Sequence, residues 1–145
     1  MPALGFHPQF IEPIRSGIKT HTIRARLATG FRVGDWAPLY KGLRTKHVEL
    51  IGSGLMNRAY ALRLDFDEGR VETQTGLAVT TIDELDAFAI ADGFPKGWRS
   101  MEAFWGQRHP GVRQFSGVLM GWGSFTLEHR LGKGAAHEDR GSKPL

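Results

Sequence analysis

The stretch FSGVLMGWGSFTL, residues 115–127, constrains the fold of this chain more than any other. It is apolar and broken by Gly117, Gly121 and Gly123, which suits a strand that bends as it closes a curved sheet. Other segments agree with a sheet. YALRLDFDEGRVETQTG alternates Tyr60, Leu62, Leu64 and Phe66 before a Glu68-Gly69 turn, the pattern of a hairpin. KHVELIGSGLM reads as a further strand, and FRVGDWAPLY turns at Val33-Gly34-Asp35 into another.

Helical signals sit near the start and in the middle. Phe10, Ile11 and Ile14 have helical spacing and Gly17 suits a C-cap, while Pro13 keeps this helix to a turn or so. Thr81-Ile82-Asp83-Glu84 is a capping-box pattern for a helix running through Leu85 and Phe88 to Gly93. WRSMEAFW places Trp98, Met101, Phe104 and Trp105 on one face of another, and these rings, with Trp122, are expected to pack in the core. Trp36 suits either a lid over a cleft or a plug at a barrel end. The fold class is therefore α+β, a small β-barrel of about five strands with short helices closing its ends.

With 145 residues the chain has room for one core. A single domain over residues 1–127 is expected, followed by a flexible tail over 128–145, where turn formers replace apolar residues. Cysteine is absent, which excludes disulfides and thiolate metal sites. The N-terminus has no signal-peptide pattern and no apolar run is long enough to span a bilayer, so a cytoplasmic protein without membrane partners is expected. No phosphate loop or dinucleotide fingerprint occurs and no histidine pair has metal-ligand spacing, so neither cofactor nor metal is expected.

Charge is distributed unevenly. Basic side chains crowd the first fifty residues, and acidic ones prevail between Val71 and Trp105. The densest basic stretch is SGIKTHTIRAR, with Lys19, His21, Arg24 and Arg26 interleaved with Thr20 and Thr22. In an extended segment Lys19 and His21 share one face, Thr22 and Arg24 the other, so Lys19 and Thr22 meet only if the chain bends between them. LYKGLRTKH repeats the theme, with Tyr40 beside Arg44 and Lys46. Cations interleaved with an aromatic ring suit phosphates and stacked bases. A ribonuclease built from these parts would bind phosphate through Lys19, Tyr40 and Lys46 and use His21 as general base.

Four blocks, GIKTHTIRAR, VGDWAPLYKGLRTKHVELIG, AIADGFPKGWRSMEAFW and FSGVLMGW, follow in order those of the ASCH domain family, and the resemblance spans roughly Phe6 to Trp122. It implies a PUA-like barrel with a cleft beside the K-T-x-T-I-R segment, lined by Lys19, Thr22, Arg24, Tyr40 and Lys46. It also implies single-stranded RNA or a modified nucleoside as ligand. Some bacterial members are similar to amidohydrolases acting on N4-acetylcytidine, and others are associated with ribonuclease activity. In the amidohydrolase branch Lys19 matches the catalytic lysine and Thr22 the threonine. Asp92 stands near the position of a family glutamate. A lysine whose pKa burial and Arg24 depress can take a proton from Thr22 or a water, and a carboxylate can pass one to the leaving amine. A non-catalytic RNA-binding module is the alternative.

Overall fold

A computed structural model describes residues 3–134. Its architecture is α+β: a curled, half-barrel mixed sheet with three short α-helices. Among the described residues the strands are β1 (Leu4–Phe6), β2 (His21–Arg24), β3 (Asp35–Lys41), β4 (Glu49–Asp65), β5 (Arg70–Thr73), β6 (Ala78–Val79), β7 (Gln114–Thr126) and β8 (Gly132–Lys133). The helices are α1 (Ile11–Arg15), α2 (Ile82–Ala91) and α3 (Trp98–Arg108). No helix of the described residues is long and apolar enough to cross a membrane.

The number of strands exceeds the expected five, because short segments such as β1, β6 and β8 are recruited by backbone pairing. Conversely, the two strands expected between Lys46 and Phe66 are one continuous strand. β4 is the spine of the sheet. Its first half pairs antiparallel with β3, from Trp36 opposite Leu55 to Lys41 opposite Glu49. From Ser53 onward it pairs with β7, and its end turns into β5. A strand that changes partners along its length must bend, and the register with β7 shifts on either side of Met56. Gly54 permits this: a Cβ there would lie 2.7 Å from Trp122 Cγ. The ring of Trp122 thus packs directly against the backbone of β4.

Leu39, Ile51, Leu64, Met101, Leu119 and Met120 form the centre of the core. Each such side chain contributes about 1.5–3 kcal/mol by leaving water. Trp98 and Trp122 join it as expected, while Phe104 and Trp105 are only partly buried against its edge. Trp36 is a buried plug rather than a lid, with the Arg130 guanidinium 5.0 Å above its ring.

The start of the expected tail is ordered instead. Ser53 Oγ donates to the Glu128 carbonyl at 2.7 Å and accepts from the Arg130 amide at 2.8 Å. β8 then pairs with Asp35 and Trp36. Local composition missed this because the partners come from β3 and β4. The rest of that segment, 135–145, lies outside the described residues.

Among the described residues the half-barrel does not close through its backbone: β1 pairs only with β3, in parallel, and β2 only with β7. Between the free edges of β1 and β2 runs a seam, bridged by Arg24, whose Nη2 donates to the Gly5 carbonyl at 2.5 Å.

Candidate active site

The seam opens into a cavity of about 270 Å³, with β1 and β2 on two sides, Lys19 and Asp92 at its inner end and α3 along its rim. Lys19 reaches it because the chain is not extended before His21. The Lys19 amide donates to the Pro13 carbonyl at 2.8 Å, and the Thr20 amide to the Ala91 carbonyl at 2.9 Å. These bonds thread residues 19 and 20 between the ends of α1 and α2. The required bend is therefore present, and Lys19 and Thr22 line the same cavity.

Lys19 is 2% exposed. Its Nζ donates to the His21 carbonyl at 2.7 Å and, through a short bond, to the Asp92 carbonyl. It lies 3.7 Å from Asp92 Oδ1 and 4.6 Å from the centre of the Phe10 ring. Burial depresses its pKa to about 8; Asp92 opposes the shift and Arg24 adds to it.

Asp92 is the C-cap of α2 and 4% exposed. The expected Asp-Gly turn is there, but the aspartate side chain points inward. Gly93, at φ +103°, reverses the chain against Lys19: a Cβ on it would lie 2.7 Å from both Lys19 Cδ and Phe10 Cδ1. Burial raises the Asp92 carboxyl to about 6, against the pull of Lys19 and Arg24.

Thr22 and Arg24 share a face of β2, as strand alternation requires. Arg24 Nε donates to Thr22 Oγ1 at 3.2 Å. This bond leaves the hydroxyl proton free to be given away and polarises the oxygen toward an alkoxide. Burial lowers the Arg24 pKa from its ordinary value, and Asp92 partly restores it.

His21 is buried on the other face, with its ring 4.9 Å from that of Phe88. Its Nε2 is 3.3 Å from Asp92 Oδ1, close enough for electrostatic contact but not aligned for a hydrogen bond, and neither atom has a hydrogen-bond partner among the described residues. Burial, Lys19 and Arg58 hold its pKa well below the ordinary histidine value, so it is neutral at physiological pH. His21 does not line the cavity, which removes it as a general base for a bound ligand.

The other expected binding residues are not brought to the cavity. Tyr40 is half-buried on β3, and Arg26, Arg44 and Lys46 are exposed on loops. The expectation that Tyr40 and Lys46 line one cleft with Lys19, Thr22 and Arg24 is corrected by the sheet itself, because β1 pairs with β3 and stands between them. Sequence reasoning missed the opposite wall: His7, Phe104, Trp105, Arg108 and His109. A signal was present in FWGQRH, where Phe104 and Arg108, and Trp105 and His109, stand four apart on one helical stripe. Among the described residues no cluster of three His, Asp or Glu side chains could hold a metal ion.

A buried lysine–carboxylate pair beside a polarised hydroxyl, under aromatic walls, is equipped for proton transfer to and from a small planar ligand. No family model, curated protein or solved structure matches this chain.

Proposed function

We propose that this chain is an ASCH-type domain of PUA-like fold that acts in the cytoplasm as an amidohydrolase on an N4-acylated cytidine. The observation that carries the reading is the buried Lys19–Asp92 pair, which shares one aromatic-walled cavity of about 270 Å³ with Thr22. A cavity of this size, near the lower end of small-molecule pockets, matches a single nucleobase with a short acyl group.

The chemistry follows from the protonation states. With values of about 8 and about 6, Lys19 is mostly an ammonium and Asp92 mostly a carboxylate at pH 7. In a minority of molecules the same single proton rests on Asp92 instead, because burial opposes both charges. In that form neutral Lys19 takes the Thr22 proton as Oγ1 attacks the acyl carbon, and Arg24 steadies the developing oxyanion. Collapse breaks the bond to N4, which takes the proton of Asp92 and leaves as cytidine. Water then hydrolyses the acyl-threonine to the carboxylic acid, with the same pair returning its proton.

The test is turnover of N4-acetylcytidine by wild type and Lys19→Ala. Release of cytidine that falls at least about 100-fold in the variant is expected for loss of a general base. No release by wild type, or equal release by both, overturns the reading. Arg26, Arg44 and Lys46, exposed and without an ion pair among the described residues, favour a second reading, a non-catalytic module for single-stranded RNA. RNA binding without turnover, weakening steeply with salt, would establish it.

A further inference from the structure

The cavity is electrically lopsided. Its one carboxylate, Asp92, is at the buried end beside Lys19, whereas its rim carries Arg108 and two imidazoles, His7 and His109. Arg108 lies over the Phe104 ring, with Cζ 4.5 Å from the ring centre, and has no ion pair among the described residues. The nearest acid on the same helix is already committed: Glu102 binds Arg113 at 2.5 Å. His109 is held against Trp105, ring centres 5.4 Å apart. His7 accepts from the Gln9 amide through Nδ1 at 3.2 Å, so the neutral ring carries its proton on Nε2 and keeps that donor available. Among the described residues the rim thus offers a guanidinium and imidazole donors with no acid paired to them, at the end of an aromatic slot opposite the reacting groups.

We propose that this rim is a phosphate subsite centred on Arg108, and that the preferred substrate is an acylated cytidine 5′-monophosphate rather than the free nucleoside. The inference rests on the amidohydrolase reading for the placement of base and acyl group, but the subsite can be tested without it. A base seated between the aromatic walls with its acyl group at Lys19 and Thr22 leaves its sugar directed outward. The 5′-phosphate is then the anion that meets the rim. Arg suits this role because its planar fork binds two phosphate oxygens at once.

The experiment compares N4-acetylcytidine with N4-acetylcytidine 5′-monophosphate in wild type, Arg108→Ala and Arg108→Lys. In wild type kcat/KM for the nucleotide is expected to exceed that for the nucleoside by about tenfold, as one charge-assisted contact provides. The preference should collapse toward unity in Arg108→Ala, mainly through KM, and be partly kept in Arg108→Lys. Equal wild-type values, or an equal fall for both substrates in Arg108→Ala, overturn the subsite while leaving the amidohydrolase standing. If wild type turns over neither substrate, Trp fluorescence titration with cytidine and cytidine 5′-monophosphate decides. Tighter nucleotide binding that Arg108→Ala abolishes supports the subsite and sinks only the hydrolase; equal binding overturns both.

Discussion

Replacing Lys19 with methionine removes a buried ammonium while keeping a flexible side chain of similar length. The substitution has a pH signature that a simple packing defect lacks. Lys19 titrates at about 8 in the folded protein and at 10.5 as an ordinary lysine. Between those values the unfolded chain holds more protons at this position, so the lysine's contribution to stability rises with pH. At about 1.4 kcal/mol per unit of pKa difference, and allowing for partial titration at both ends, the rise between pH 8 and pH 10 is about 2 kcal/mol. In Lys19→Met it is absent. Asp92, deprived of its cation, is pushed further up in the variant. A raised carboxyl loses stability as pH climbs through its folded pKa, which acts in the same direction on the comparison. Urea unfolding of both proteins at pH 8, 9 and 10, followed by tryptophan fluorescence, should therefore show the difference growing in favour of wild type by about 2 kcal/mol. A constant or shrinking difference refutes a buried, depressed Lys19.

The kcat/KM profile for acetylcytidine should be a bell with limbs near 6 and 8, apparent values of the Lys19–Asp92 pair holding one proton; a maximum outside this window contradicts the pairing. Asp92→Asn should lower kcat by about 10²–10⁴-fold and erase the alkaline limb, because the proton given to N4 is gone while Lys19 must still be neutral; a retained alkaline limb would assign that proton to another group. Gly93→Ala forces a Cβ onto Lys19 and Phe10 at φ +103°. Strain and overpacking of about 2–4 kcal/mol should lower Tm by about 6–12 °C in a thermal melt, and an unchanged Tm would contradict the close approach.

The α+β class and the shared face of Thr22 and Arg24 were legible because they depend on local patterns, whereas Lys19 was joined to them only through the resemblance, since its bend rests on the Pro13 and Ala91 carbonyls. Alternation alone puts Thr22 beside Arg24, and the capping box does start α2, with Thr81 Oγ1 accepting from the Glu84 amide at 3.3 Å. What stayed hidden depends on distant partners. His21 looks like one more polar residue in a cationic stretch, and is buried because Gly121 pairs with it and Phe88 covers it. Asp92 resembles ordinary turn chemistry, and becomes a site residue because Lys19 arrives from the other side. Trp105 and Phe104 have the spacing of core residues and do touch the core, yet their exposed sides form the cavity wall. Composition cannot distinguish those two uses of one ring.

The pairing of β2 with β7 also sets when this cavity can exist. His21 lies opposite Gly121 and Arg24 opposite Val118, about a hundred residues further along the chain. At about 5–20 residues per second, a ribosome that has made the K-T-x-T-I-R segment needs a further 5–20 s or so to make its partner strand. Asp92 itself arrives only about seventy residues after Lys19, and through the whole interval β2 has no β7 beside it to hold Thr22 and Arg24 in register. No incomplete chain carries the assembled site. A fragment ending before β7 should therefore lack the cavity as well as be unstable, and the order of synthesis itself keeps this buried lysine out of its pocket until the sheet around it is whole.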